Sequence, residues 1–157
     1  MKSEELSRLS SLYGGYWNKN VLDFCYMTNR YFPPARMGGD MQARLPDLIG
    51  NYPSTNWFLS SLLADQVGLT QDELVVGNGA SELINAVVAR FVNRLAVPMP
   101  TFEEFVNRAK ILGREVRPFK PSQGFDLDID AFIKHVRDTD SESALLIRPN
   151  NPTGSCL

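Results

Sequence analysis

The sequence predicts an α/β fold, a mostly parallel sheet with flanking helices, and three features predict it. From Asn51 onward, short apolar runs of strand length alternate with longer stretches whose apolar residues recur at three- and four-residue spacing. Gly68, Pro98, Pro100 and Gly113 punctuate the boundaries between these stretches. A glycine-rich turn joins the first strand-like run to the helix that follows it, as strand-to-helix connections in parallel sheets require.

The elements are expected in this order. Residues 53–67 form a helix with Leu59, Leu62, Leu63 and Val67 on one stripe and Gly68 as its stop. Residues 73–76 (ELVV) form a short buried strand. Residues 80–94 form a helix, since Ile84, Val87, Val88, Phe91 and Leu95 keep the spacing of one face. Residues 95–98 form a strand that the prolines end. Residues 102–112 form a helix with Phe105, Ala109 and Leu112 inward, and residues 115–119 alternate as a strand does. Residues 128–136 form a helix with Ile129, Phe132, Ile133 and Val136 on one face, and residues 143–147 (SALLI) a last buried strand. Up to Gly50 the chain is broken by Gly14-Gly15, Pro33-Pro34 and Gly38-Gly39, so residues 1–50 are expected to be an irregular arm or partial domain ahead of the domain of residues 51–157.

Composition narrows the function classes. The apolar share of 43%, the charged share of 22% and the net charge of −2 are those of a soluble globular protein, with no basic excess for nucleic acid or an anionic membrane. No apolar stretch approaches membrane-spanning length, and the two cysteines, Cys25 and Cys156, lack metal-ligand spacing. A cytoplasmic protein without metal, membrane or nucleic-acid partners is expected. His135 is expected on a solvated helix face, without a catalytic role.

Ligands of parallel α/β sheets collect at the carboxyl ends of the strands, so the chemistry is sought there. After ELVV comes Gly77-Asn78-Gly79-Ala80-Ser81-Glu82 and then a helix. The glycines allow a sharp turn and close backbone approach. The small residues leave the first helical amides open to an anion such as phosphate. Ser81 can add a hydroxyl and Glu82 can cap an amide. Glu82 stands where a dinucleotide fingerprint has its third glycine, and no Lys-Ser/Thr pair of a P-loop follows. A nucleotide-binding module and a ligand-free turn both stay open on this motif alone. After the second strand, Pro98-Met99-Pro100-Thr101-Phe102 holds an aromatic ring at the sheet edge, where it either stacks on a flat ligand or packs into the core. After the last strand, Arg148-Pro149-Asn150-Asn151-Pro152-Thr153-Gly154 forms a tight turn. The Asn151 carboxamide there either donates to a ligand oxygen or bonds its own backbone. An anion cradle, a stacking ring and an amide at successive strand ends suit a flat aromatic ligand carrying one phosphate.

Asn-Pro-Thr-Gly after a buried strand, with Pro-Thr-Phe at 100–102 and Gly-Asn-Gly-Ala-Ser-Glu at 77–82 upstream, resembles the class I/II aminotransferases of fold-type I. The look is closest to the branch of histidinol-phosphate aminotransferase and threonine-phosphate decarboxylase. The resemblance implies that this chain is the N-terminal part of the large domain of an enzyme using pyridoxal 5′-phosphate. Gly79, Ala80 and Ser81 would hold the cofactor phosphate, Phe102 would stack on the pyridine ring, and Asn151 would bond the ring's 3-oxygen. Tyr52, in a Tyr-Pro pair opening the first large helix, would reach the phosphate of a partner subunit across a homodimer. Asn29, in LDFCYMTNRYFPP, falls where the branch has a substrate-facing Asn-Pro segment, although Arg30 replaces that proline. The implied substrates are a small-molecule amino donor, an amino acid or phosphorylated amine, and a keto acid acceptor. Decarboxylation of an amino-acid phosphate is the alternative within the family. Related modules also occur fused to nucleotidyltransferases. The family's ring-nitrogen aspartate, Schiff-base lysine and carboxylate-binding arginine would lie beyond Leu157, with no lysine of residues 1–157 following a strand end that lines the cleft. The 157-residue chain alone is therefore expected to be a fragment without turnover, a non-catalytic half-domain being the further alternative.

Overall fold

The computed structural model describes residues 28–121 and 124–156, together with Asn20 and Leu22. Its contacts divide it into two compact units, Met1–Pro53 and Ser54–Leu157.

In the first unit, helix α1 spans Ala35–Ala43 and α2 spans Leu45–Gly50, and neither buries a residue. The expectation of an irregular stretch is corrected over residues 35–50, while its part over residues 1–27, apart from Asn20 and Leu22, lies outside the described residues. Gly38 and Gly39 lie inside α1, where each costs about 1 kcal/mol against alanine without forbidding the helix. Pro34 and Pro46 sit at the helix starts, where a missing N–H loses nothing.

The second unit opens with α3, Asn56–Val67. Its start lies later than the sequence suggests, because the Thr55 hydroxyl accepts from the Phe58 amide at 3.2 Å and so takes the N-cap. Gly68, at φ 73°, closes the helix with a bond to the Ala64 carbonyl. The expected inward stripe is also corrected: Leu59, Leu62, Leu63 and Val67 are exposed, and Ser60 and Ala64 are buried instead. With Trp57 and Phe58 added, α3 is apolar over most of its circumference, so spacing alone does not pick a face. The small side takes the close contact, and Ser60 Oγ accepts from the Val76 amide at 3.2 Å.

The expected strand at 73–76 does not pair. A 3-10 turn covers Gln71–Glu73, capped reciprocally by Thr70 and Glu73, and the residues after it are extended with no ladder among the described residues. Val75 is 76% exposed for that reason.

Helix α4 follows, Ala80–Phe91, ending where Val92 turns extended at φ −111°, ψ 124°. Strand β1 is Arg94–Pro98, α5 is Glu103–Ile111, β2 is Glu115–Phe119, α6 is Ile129–Asp138 and β3 is Ser143–Ala144. The strands form a parallel sheet in the order β2-β1-β3, with Leu95 opposite both Val116 and Ser143. The crossover through α5 runs outward from β1 to β2, and the one through α6 returns over β1 to β3. Right-handed crossovers of opposite sense place α5 and α6 on opposite faces. On one face Ile84, Val88 and Val92 of the α4 region pack with Leu95, Val97, Val106 and Ala109. Val87 and Phe91 are exposed, because the buried line of α4 runs through every fourth residue from Ile84. On α5, Phe105 is half-buried against the core and Leu112 lies exposed beyond its end. On α6, Phe132 is buried while Ile129 and Ile133 are exposed. The ladder of β3 is shorter than residues 143–147. Leu145 still donates to the Ala96 carbonyl at 3.0 Å, but the next ladder bond would need an N–H from Pro98, which has none.

Candidate functional site

Topology brings three turns of the second unit to one edge of the sheet. Only Val92 and Asn93 separate α4 from β1, so the two run antiparallel, and at roughly 18 and 16 Å they are nearly equal in length. The start of α4 therefore lies at the carboxyl edge of β1. That edge also carries the start of α5 and the turn after β3.

The turn at 77–81 is shaped by its glycines. Gly79 is the N-cap of α4 at φ 79°, ψ 169°, a conformation that a side chain all but forbids. A Cβ on Gly77 would meet Leu83 Cδ2 at 2.7 Å. The Glu82 carboxylate accepts from the Asn78 amide, as its position suggested. One expectation is corrected: the Gly79 amide is not open, since it donates to the Gly77 carbonyl at 2.9 Å. The Ala80 and Ser81 amides belong to the first turn of α4, which has no intrahelical acceptor for them. They have no other acceptor among the described residues, and both residues are exposed.

Phe102 is the N-cap of α5 and 38% exposed, so its ring is neither in the core nor free of the protein. Asn151 is exposed, and its carboxamide makes no hydrogen bond among the described residues. Its neighbour Asn150 behaves oppositely. Thr101 Oγ1 donates to Asn150 Oδ1 at 3.0 Å, and Asn150 Nδ2 donates to the Pro100 carbonyl at 3.0 Å and to Thr153 Oγ1 at 2.8 Å. Sequence reasoning missed this residue, whose partners in the other turn stand 49 and 50 positions away. Beside these bonds runs a mostly apolar groove that includes Pro98, Pro121, Phe125, Leu146 and Thr153, and neither Phe102 nor Asn151 lines it.

The remaining candidates lie outside these three turns in the sequence. Tyr52, in the first unit, is fully exposed. Asn29 is turn-forming: its Oδ1 accepts from the Tyr31 amide at 2.9 Å and its carbonyl from the Phe32 amide at 3.2 Å. Lys120 directly follows β2 but does not line the groove. His135 is corrected as well. It is half-buried, its ring 5.3 Å from that of Phe119, with Nε2 3.3 Å from the Arg117 carbonyl. Among the described residues no group of His, Cys, Asp and Glu is placed to hold a metal, and no helix is long and apolar enough to cross a membrane.

Open helical amides, a half-exposed ring and an unspent carboxamide thus lie at one edge of a parallel sheet in an α/β domain. The chain belongs to the aminotransferase class I and II family, whose sequence pattern matches residues 27–157. The family's cofactor is pyridoxal 5′-phosphate. The chain is 34% identical over 96% of its length to the CMP-5′-(3-aminopropyl)phosphonate synthase of Streptomyces rubellomurinus, of which it covers 24%. It is 32% identical over 63% of its length to the histidinol-phosphate aminotransferase of Thermoanaerobacter sp., of which it covers 29%. A solved decarboxylase of Sulfurospirillum multivorans superposes with a TM-score of 0.64 at 26% identity, across 87% of this chain and 38% of that one. The chain thus spans well under half the length of these relatives. The residues present fit the cofactor: the Ala80 and Ser81 amides are open to a phosphate, and Asn151 has a donor to give.

Proposed function

We propose that this chain forms the phosphate- and ring-binding part of a pyridoxal-phosphate-dependent aminotransferase. The observation that carries the reading is the placing of the open Ala80 and Ser81 amides at the same sheet edge as Phe102 and Asn151. In this reading those amides and the Ser81 hydroxyl hold the phosphate, helped by the helix dipole, and Gly79 admits it. Phe102 covers a face of the pyridine ring, and the Asn151 carboxamide donates to its 3-oxygen. Bound there, the cofactor supplies an electron sink for charge developing at the substrate's alpha carbon. Tyr52 would serve the phosphate of a second subunit in a homodimer, and Asn29 would face the substrate.

The substrates are a small amino donor and a keto acid acceptor in the cytoplasm. Two relatives carry a phosphonate or a phosphate beside an amine in the names of their reactions, which favours a donor of that class. A second reading, decarboxylation of an amino-acid phosphate, is supported by the similarity to the Sulfurospirillum decarboxylase. Product analysis separates the two. Transamination yields a keto product and a new amino acid, whereas decarboxylation releases carbon dioxide and leaves the amine.

The test of the site is a titration with pyridoxal phosphate. Saturable binding is expected, and Ser81→Asp should weaken it by about a hundredfold, since a carboxylate then faces the phosphate. Equal binding by the two proteins would refute the assignment.

A further inference from the structure

We infer that Asn150 is a positioning residue that sets the stacking ring and the ligand-binding carboxamide at a fixed distance from each other. The inference rests on the assignment of Phe102 and Asn151 as ring contacts given above.

Thr101 and Phe102 are consecutive, and so are Asn150 and Asn151, so each ring contact is one residue from one end of the Thr101–Asn150 bond. The Asn150 carboxamide accepts once, from Thr101, and gives its N–H groups to Pro100 and Thr153. Its backbone is held too: the amide donates to the Ser155 carbonyl at 2.8 Å, and its carbonyl accepts from the Gly154 amide at 2.7 Å. Asn150 is therefore fastened within its own turn and reaches from that fixed base into the other. Thr101 is only 5% exposed, so its hydroxyl has little access to water as a replacement partner. The two adjacent asparagines divide the work, one spent on the protein and one left for a ligand.

The geometry needs an amide at 150. Aspartate would keep the acceptor for Thr101 but has no N–H for Pro100, whose carbonyl would then face a carboxylate. The amides of Ala80 and Ser81 take no part in these bonds. Loosening the tie should thus disturb the ring and spare the phosphate.

The experiment uses the protein encoded by its intact gene, as wild type, Asn150→Ala, Asn150→Asp and Thr101→Val. Pyridoxal phosphate and inorganic phosphate are titrated separately, and the visible circular dichroism of the bound cofactor reports the ring's setting. Both Asn150 variants should bind pyridoxal phosphate about tenfold more weakly and change its dichroism, with inorganic phosphate unaffected. Thr101→Val, which keeps both Asn150 donor bonds, should give a smaller loss in the same direction and stands in should Asn150→Ala not fold. Equal weakening of both ligands with unaltered dichroism would assign Asn150 to general scaffolding and overturn the inference. So would variants indistinguishable from a wild type that binds the cofactor. A wild type that binds no pyridoxal phosphate would remove the functional reading, and this inference with it.

Discussion

Gly77 lies against Leu83: a Cβ on the glycine would stand 2.7 Å from Leu83 Cδ2 and 2.8 Å from its Cγ. The turn is thus held closed over the first turn of α4 by contact as well as by the Glu82 carboxylate on the Asn78 amide. Gly77→Ala should push Leu83 away and cost about 1–3 kcal/mol of stability. Gly79→Ala should cost a similar amount for a different reason, its φ of 79° and ψ of 169°. Chemical denaturation checks both, and a loss below about 0.5 kcal/mol at either position would show that the turn relaxes freely.

Acid sensitivity should include a contribution from Glu73. Its carboxyl is held below its ordinary range by the Thr70 backbone amide, at 2.9 Å, and then by the Thr70 hydroxyl, at 2.7 Å. A carboxyl with a depressed folded-state pKa adds stability that is complete above its unfolded value and is lost as pH falls through the folded one. Glu73→Gln should therefore be less stable near neutrality, with the difference closing below the ordinary carboxylate range. Denaturation midpoints of both proteins across that acid range test the sign. A gap that widens on acidification contradicts it.

Association should run through α3. Trp57 is 65% exposed, and Phe58, Leu62 and Val67 are each about half exposed, an apolar surface of the kind that marks interfaces. Sedimentation should show a homodimer, and Leu62→Glu should shift it toward monomer. A wild-type monomer at high concentration would contradict the dimeric reading.

Helices α4, α5 and α6 and strands β1 and β2 were legible because their spacing repeats and glycine or proline ends them. Pairing and covering were not. ELVV has the composition of a strand, yet composition does not say whether a neighbour is present to pair with it. The face of α3 was illegible because apolar residues ring most of it. At the site, the glycine turn into α4 and the Glu82 bond to the Asn78 amide could be read, since their geometry is local, but the Gly79 bond to the Gly77 carbonyl could not. Asn150 could not, because its task depends on a turn far away in sequence. His135 was misplaced because one histidine among charged neighbours resembles a surface residue until Phe119 is brought beside it.

Lys120 should not become a covalent anchor for the cofactor. It follows β2 at the carboxyl edge but is exposed, whereas a Schiff-base lysine has to be desolvated and held beside the cofactor aldehyde. Borohydride reduction of the 157-residue chain with pyridoxal phosphate, followed by peptide mass mapping, should show only sparse labelling spread over several lysines. Stoichiometric labelling of Lys120 with measurable amino transfer would contradict this.

The most direct measurement is a crystal structure of the protein encoded by the intact gene, grown with pyridoxal phosphate. The phosphate should lie within about 2.7–3.2 Å of the Ala80 and Ser81 amides, with Phe102 over the ring and Asn151 Nδ2 at its 3-oxygen. A cofactor bound away from the start of α4, or one whose ring touches neither Phe102 nor Asn151, would contradict the account.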